Sequence, residues 1–466
     1  MTMLPDPIEP TAPCRAPGTT AGVSRRALLA RGLIAGGAAA LPLSLPASAL
    51  AFDPFRREGE TPPVPPIRFF EENAQNFEVL FALGAVASEA AEVGEVITAI
   101  NRINAQGGTA AAYYDGFLEQ ARRARALADD ALARGRTVTA RGAYLRASTY
   151  YAQTLFFTLA SSRPTRTHEG EVYRAVRACW NAAARLSPFP VEAVRIPYGR
   201  TGMPGWLLTP PGPKRRRPTL ILNNGSDAQM VEIFAYGGLA AVQRGWNALI
   251  FEAPGQGSML FDRSIPFRPD WEHVVTPVVD FLRARPEVDA KRMAILGWSF
   301  GGILVPRAVA FEHRLAAMVV DPGAMSVLDA WRGLPSMFFT LAKEGKKAEL
   351  NSIWAGYVKG LSAQDKFTLA KRSEIFGTNN FYDQLKRMEQ FTNADVLGRI
   401  RTPSLVLDNQ LEQFFPGQPR KVYDALRSPK SYYRFTVAQG AQYHDEPMAP
   451  QLRNGVVMDW LEKTVR

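Results

Sequence analysis

The 466 residues exceed one average domain, so we expect two. With 46% hydrophobic and 10% aromatic residues, the composition is that of an ordinary globular protein and excludes a low-complexity chain. The net charge of +11 is spread along the chain. Its one dense basic run, residues 214–217, lies between prolines with no accompanying nucleic-acid motif, so we expect a solvated turn and no nucleic-acid partner.

The amino terminus has the pattern of a targeting segment. Arg25 and Arg26 resemble the twin arginines of an export signal, and an apolar run rich in Ala, Gly and Leu follows them. This run ends at small-x-small sites at residues 47–49 and 49–51. We therefore predict a twin-arginine-type signal peptide over residues 1–51 and a linker over 52–66. The protein would then be bacterial, periplasmic or secreted, and without stable membrane insertion after cleavage; an uncleaved anchor is the alternative.

Residues 67–187 are predicted to form an all-helical domain, because apolar residues recur at helical spacing and no strand-like alternation interrupts them. Four tyrosines in this region are expected to be core or interface aromatics, with pocket lining as the alternative: Tyr113, Tyr114, Tyr150 and Tyr151. The predicted helical stretches are residues 70–103, 111–134, 137–159 and 170–186. Of the two cysteines, Cys14 lies in the predicted signal and Cys179 in this domain, so no internal disulfide is expected.

Residues 188–466 alternate between short apolar runs and helical patterns, which predicts an α/β domain with a mainly parallel sheet covered on both faces. The alternation stops over residues 327–400, which we interpret as a helical cap insertion. The predicted strands are residues 191–197 and 205–209 as a hairpin, then 219–222, 247–251, 293–296, 315–320, 404–407 and 432–437. The predicted helices outside the insertion are residues 230–244, 270–285, 303–310, 420–426 and 454–464.

Ser299 lies at the centre of a G-x-S-x-G motif formed by residues 297–301, followed by Gly302. An apolar strand precedes the motif and a helix follows it, which is the context of a nucleophile elbow. A sharp strand-to-helix turn crowds the backbone around its central residue, and small flanking residues relieve that crowding. The motif therefore predicts an exposed serine nucleophile at the carboxyl end of the sheet.

With this elbow, residues 188–466 resemble the α/β-hydrolase superfamily. Residues 252–258 are similar to that superfamily's acid-x-Pro-Gly-x-Gly-Ser segment. The helical domain ahead of the sheet narrows this resemblance to a subgroup related to the fermentation–respiration switch esterase-like proteins. Residues 267–271 and 412–418 are similar to the corresponding segments of that subgroup. This subgroup includes dihydroxy-pseudo-oxynicotine hydrolases and fungal polyketide-shortening hydrolases. The resemblance implies a pocket between the helical domain and the sheet, and hydrolysis of an ester or of a carbon–carbon bond beside a ketone.

A serine nucleophile requires a base and an acid, which follow it in the order Ser, acid, His in this fold. Of the four histidines, only His444 follows the last predicted strand. The acid is expected in the loop after residues 404–407, where Glu412 is favoured over Asp408. Glu412 precedes an apolar pair and a proline, as the acid does in many hydrolases of this fold. Asp321, after the preceding strand, is a third possibility.

The oxyanion that forms during acyl transfer requires preorganised donors. We expect the backbone N–H groups of Phe300, which follows the nucleophile, and of Ser226, in the loop after residues 219–222.

These residues predict a serine hydrolase that acts on a small organic molecule through an acyl-enzyme, without a metal or an organic cofactor. A dipeptidyl aminopeptidase-like amide hydrolase and a catalytically inactive exported binding protein are the alternatives. A homodimer is possible.

Overall fold

The computed structural model describes residues 68–466 apart from residues 214, 332 and 362. The predicted signal peptide and linker lie outside these residues. Within this part of the chain, no helix is both long enough and apolar enough to cross a membrane.

Within the described residues, five α-helices precede the first strand. Their burial follows the helical period: Ala121, Ala124, Ala128 and Ala131 are buried on one side of the third helix. The side chain of Thr109 caps that helix by accepting the Ala112 backbone N–H. The five helices are α1 Asn73–Gly84, α2 Val93–Ala105, α3 Ala110–Ala133, α4 Thr137–Phe156 and α5 Arg166–Arg185. The four predicted tyrosines are buried members of the hydrophobic core.

In the described part of the chain, eight strands form one sheet in the order β1-β2-β4-β3-β5-β6-β7-β8. The β1–β2 and β2–β4 pairs are antiparallel, and the other pairs are parallel. The predicted α/β fold with a mainly parallel sheet is confirmed. The strands are β1 Val191–Ile196, β2 Met203–Leu208, β3 Arg217–Asn223, β4 Asn247–Phe251, β5 Val288–Trp298, β6 Ala317–Asp321, β7 Ser404–Asn409 and β8 Lys430–Phe435.

The two faces of the sheet belong to different hydrophobic clusters, as the strand period of two requires. Leu220 and Leu222 of β3 belong to the cluster that contains the buried side chains of α1–α5, whereas Ile221 belongs to the cluster on the other face. That second cluster also contains apolar side chains from the helices after β4. The remaining helices are α6 Met230–Ile233, α7 Leu239–Gln243, α8 Gly257–Phe261, α9 Glu272–Arg283, α10 Gly301–Val309, α11 Val327–Ala330, α12 Ser336–Lys343, α13 Lys347–Lys359, α14 Ala363–Phe376, α15 Phe381–Met388, α16 Gln418–Ala425 and α17 Pro450–Thr464.

One predicted helix is interrupted. The sequence predicts a single helix over residues 230–244, but the structure has α6 and α7 joined by a wider helical turn at residues 234–238. Tyr236 departs from helical backbone angles there, and its carbonyl oxygen accepts a hydrogen bond from the buried Arg453 side chain. Local periodicity does not reveal this break, because the partner of the freed carbonyl comes from α17.

The segment after β4 connects the helical region, formed by α1–α5, to the sheet. Glu252 is buried, and its carboxylate accepts hydrogen bonds from the Tyr173 hydroxyl of α5 at 2.6 Å and the Ser258 hydroxyl at 2.7 Å. It also accepts the Ser258 backbone N–H at 3.1 Å. A side chain at Gly257 would overlap the Glu252 carboxylate. The acid, the glycine and the serine of this motif are therefore needed for one buried hydrogen-bond cluster.

Candidate active site

Ser299 occupies the turn between β5 and α10 in the left-handed region, with φ of 56°. A residue other than glycine rarely adopts this conformation, so the surrounding contacts must hold it there. The Ser299 N–H donates to the Asp321 carbonyl oxygen at 2.6 Å and to the Asp445 carboxylate at 3.2 Å. Ser299 is only partly buried, whereas Trp298 and Phe300 on either side are buried. The turn therefore presents the hydroxyl while its neighbours anchor it.

The glycines around Ser299 are required by close backbone approach. A Cβ at Gly297 would overlap the Gly301 carbonyl oxygen, and a Cβ at Gly302 would overlap the Pro322 carbonyl oxygen. At Gly225, in the loop after β3, a Cβ would lie 2.6 Å from the Ser299 Cβ. The loop after β3, the segment after β6 and the first turn of α10 can approach the elbow this closely only because Gly225, Gly302 and Gly297 lack side chains.

A continuous hydrogen-bond chain runs from Ser299 through His444 to Glu412. The Ser299 Oγ is 2.9 Å from His444 Nε2, and His444 Nδ1 is 2.8 Å from Glu412 Oε1 and 3.0 Å from Oε2. Glu412 Oε1 also accepts the backbone N–H groups of Phe414 at 2.9 Å and Phe415 at 3.0 Å. Both ends of the imidazole are therefore engaged, which fixes the tautomer that can accept the serine proton.

The two other candidate acids have different partners. Asp408 accepts the Tyr432 hydroxyl at 2.5 Å and lies 3.4 Å from the Arg434 guanidinium. The Asp321 carboxylate is fully buried and accepts Arg453 Nε at 2.7 Å. Within the described residues, neither carboxylate forms a hydrogen bond with His444. Of the three predicted acids, the structure brings Glu412 to the histidine.

Asp445 is a site residue that the sequence analysis did not identify. Its backbone has φ of 62°, and this turn places its carboxylate 3.3 Å from His444 Nε2 as well as against the Ser299 N–H. Burial lowers the pKa of His444, but the Asp445 and Glu412 carboxylates outweigh burial and raise the pKa to about 9. The only sequence signal for Asp445 was its position directly after His444.

The two predicted oxyanion donors both line the cavity at Ser299. Within the described part of the chain, the backbone N–H groups of Phe300 and Ser226 donate to no other group. The Phe300 N–H also lies at the beginning of α10, where the helix dipole favours negative charge. Both N–H groups therefore lack an acceptor within the described residues.

The cavity has walls from three parts of the chain. Its empty space, including the part open to solvent, is about 940 Å³. α1, the insertion after β6 and the loop after β7 each contribute two aromatic residues to the wall, and charged groups lie among them. The aromatic residues are Phe77, Phe81, Phe156, Trp298, Phe300, Trp331, Phe376, Phe414 and Phe415, and the charged ones besides His444 are Glu78, Asp227, Glu232, Arg372 and Asp445.

No metal centre is evident in the described ranges, where no three His, Cys, Asp or Glu side chains are placed to hold an ion together.

The sequence model of the Alpha/beta hydrolase family matches residues 232–453. Among curated proteins, the hydrolase acrC of Aspergillus aculeatus is 30% identical over 366 residues, which is 73% of this chain and 83% of that protein. The 20-hydroxy-prefusarin hydrolase FUS2 of Gibberella moniliformis is 31% identical over 355 residues, covering 73% of this chain and 82% of that protein.

Solved structures show the same fold. A crystal structure of 2,6-dihydroxy-pseudo-oxynicotine hydrolase matches with a TM-score of 0.64 at 18% identity, covering 82% of this chain and 95% of that one. A structure of wild-type AbyA5 matches with a TM-score of 0.56 at 17% identity, covering 84% and 95%. Because the family's sequence model, the fungal hydrolases and these structures agree with the sheet and the elbow described above, the chain belongs to the α/β-hydrolase family and is a hydrolase.

Proposed function

We propose that this hydrolase cleaves an ester, or a carbon–carbon bond next to a ketone, in a small organic substrate through an acyl-enzyme. The observation that carries the proposal is the hydrogen-bond chain from Ser299 Oγ to His444 Nε2 and from His444 Nδ1 to Glu412. The curated relatives named above are hydrolases, one of them of a prefusarin compound. The cavity, whose lining includes nine Phe and Trp side chains, fits a small and largely apolar molecule.

In this mechanism His444 accepts the Ser299 proton while Oγ attacks the substrate carbonyl. Glu412 orients the imidazole and stabilises its positive charge. The Phe300 and Ser226 N–H groups stabilise the oxyanion, because neither is engaged by the protein. After the leaving group departs, water attacks the acyl-enzyme with His444 again acting as the base, and Ser299 recovers its proton.

Replacement of the nucleophile tests the proposal. Ser299→Ala should lower kcat for 4-nitrophenyl butyrate at least about a thousandfold. It should also abolish labelling by a fluorophosphonate probe, read as the mass of the intact protein. Ser336, which is exposed at the beginning of α12, offers a matched control, and Ser336→Ala should keep both properties. Turnover by Ser299→Ala at the wild-type rate would exclude this mechanism.

The location of the enzyme is a separate part of the proposal, supported by the sequence of residues 1–51 alone. In a bacterial host, the chain should reach the periplasm shortened near residues 49–51, and the double change Arg25→Lys with Arg26→Lys should retain it in the cytoplasm. A wild-type chain that stays full-length in the cytoplasm would contradict export.

A further inference from the structure

Glu78 is an acidic residue in the cavity that the mechanism above does not use. It lies on α1, and its side chain lines the same cavity as Ser299 and His444. Two neighbours of Glu78 on the helix contact residues of the site: the Phe77 ring is 6.2 Å from the His444 ring, and the Phe81 ring is 5.8 Å from the Trp298 ring. Residues 77, 78 and 81 share one side of the helix, so this side of α1 covers the nucleophile and base.

The Glu78 carboxyl has no hydrogen bond or ion pair with another described residue, in contrast to the other cavity acids. Asp227 accepts Arg372 Nη1 at 2.6 Å, and Glu232 accepts the Gln229 N–H at 2.7 Å. Asp445 accepts the Ser299 N–H at 3.2 Å. Glu78 is therefore the cavity carboxyl whose oxygen atoms remain available to a substrate.

Burial and the groups that face Glu78 together favour the acid form of its carboxyl. Burial raises its pKa well above the ordinary value, and the Asp227 and Glu232 carboxylates raise it further. Arg372 from α14 and His444 oppose this by lowering the pKa, but less strongly than burial raises it. A carboxyl with a raised pKa keeps a proton that it can donate to higher pH than an ordinary glutamic acid does, and it loses that ability as pH rises through its raised pKa.

We propose that Glu78 is the proton donor to the leaving group, and that the substrate is a 1,3-diketone-type compound cleaved between the attacked carbonyl carbon and the carbon between the two ketones. The inference rests on the proposed function and extends it. A nitrophenolate leaves as a stable anion, but a carbon leaving group must gain a proton, and the Glu78 carboxyl lines the cavity with no partner in the described residues that would hold this proton.

The reaction balances with the groups in the cavity. Ser299 Oγ bonds to the carbonyl carbon, its proton moves to His444, and the carbon–carbon bond breaks with its electron pair on the leaving carbon. That carbon takes the proton of the Glu78 carboxyl and departs as a ketone. The imidazolium proton then returns to the Glu78 carboxylate. Water finally releases the acyl group as a carboxylic acid, so one water is consumed for each bond cleaved.

The experiment compares two substrates in one set of variants. Glu78→Gln should lower kcat for 1-phenyl-1,3-butanedione at least about 100-fold, but kcat for 4-nitrophenyl butyrate by no more than about fivefold. The wild-type diketone rate should fall as pH rises through the Glu78 pKa, and this decline should be absent in the variant. Glu78→Asp should recover part of the diketone rate. Glu72, exposed at the beginning of the same helix, provides the control: Glu72→Gln should alter neither rate.

Labelling of Ser299 by a fluorophosphonate in Glu78→Gln reports whether the fold and nucleophile are intact. An equal loss with both substrates in labelled protein, or no loss with either, would overturn the role of Glu78. A wild-type enzyme that hydrolyses the ester but not the diketone would overturn the substrate class. In each case the proposed function stands if Ser299→Ala removes ester hydrolysis, and it fails separately if Ser299→Ala retains it.

Discussion

Glu412 and Asp408 lie four residues apart, but their carboxyl groups contact different partners. Glu412 holds His444 Nδ1, whereas Asp408 holds the Tyr432 hydroxyl. Glu412→Gln should therefore lower kcat for 4-nitrophenyl butyrate by about 10³- to 10⁴-fold, because an amide cannot stabilise the imidazolium. Asp408→Asn should lower it less than about tenfold, because it changes only the support of the loop. The reverse order of these losses would assign the acid to Asp408.

Some residues of the candidate site could be selected from the sequence, and others could not. Because the chain has only four histidines, the order of the catalytic residues along the chain was enough to select His444. In the loop after β7, the same order limited the acid to Asp408 or Glu412. Asp445 and Glu78 could not be selected in this way. Asp445 reaches the elbow through a left-handed turn, and Glu78 belongs to a helix whose packing on the sheet is a tertiary property.

The charge of Asp445 should control the pH dependence of the enzyme. His444 acts as a base only when neutral, and the Asp445 carboxylate helps to raise its pKa to about 9. Asp445→Asn removes that charge, so the pKa of His444 should fall and activity should extend to lower pH. An asparagine tolerates the left-handed backbone and can still accept the Ser299 N–H.

The profile of kcat/KM for 4-nitrophenyl butyrate against pH measures the effect of Asp445. Its lower midpoint should move down by about one unit in Asp445→Asn. A midpoint that stays in place, or moves up, would show that Asp445 does not act on His444 through its charge.

At the scale of elements, buried strands and their connecting helices were predictable because each carries an uninterrupted apolar run. β4 has the predicted bounds, whereas β5 begins at Val288 instead of residue 293. The early part of β5 contains the polar residues Asp289, Lys291 and Arg292, so the sequence has no apolar run that would indicate a strand there. This part of β5 pairs with β3 only at Arg217, after which the register of the pair shifts. Backbone pairing there is set by the neighbouring strand and not by local hydrophobicity.

The junction between β5 and α10 depends on close backbone packing of α10 against the segment after β6, which a single added methyl group should disturb. A Cβ at Gly302 would overlap the Pro322 carbonyl oxygen after β6. Gly302→Ala must therefore shift α10 relative to β6 and displace Ser299, and we expect a loss of activity of at least about 100-fold. Gly356 in α13 has open space around it, so Gly356→Ala should keep full activity. Initial rates of ester hydrolysis decide the matter, and an active Gly302→Ala would refute this account of the turn.

At the scale of the whole molecule, the cavity exists because three parts of the chain meet over the sheet. The helical region provides Glu78 and Phe77, the insertion provides Arg372, and the loops after the strands provide Ser299 and His444. The sequence predicted a pocket between helices and sheet only through family resemblance. Its wall could not be assigned, because contacts between α1, α14 and the strand loops join residues far apart in the chain.

A buried charge network joins the insertion to the helical region. Lys371 of α14 donates to Glu169 of α5 at 2.7 Å and lies 3.4 Å from Glu374, which also pairs with Arg166. The side chains of Glu169 and Glu374 are almost fully buried. Removal of the ammonium group would therefore leave carboxylates with too little compensating charge in a dry environment.

Lys371→Met should lower the free energy of unfolding by about 3 kcal/mol or more, because a buried charge loses its partner. Urea unfolding followed by tryptophan fluorescence measures this loss. Lys347 and Asp383 form an exposed pair with side-chain exposures of 51% and 40%, so Lys347→Met should cost less than about 1 kcal/mol. Adding Glu169→Gln to Lys371→Met should recover part of the stability, because it removes one of the uncompensated charges. If both lysine variants unfold at the same urea concentration, the network does not hold the insertion in place. If Lys371→Met lowers the free energy of unfolding and Lys347→Met does not, Lys371→Met should also hydrolyse the ester more slowly. The reason is that α14 carries Arg372, which pairs with Asp227 beside the predicted oxyanion donor Ser226.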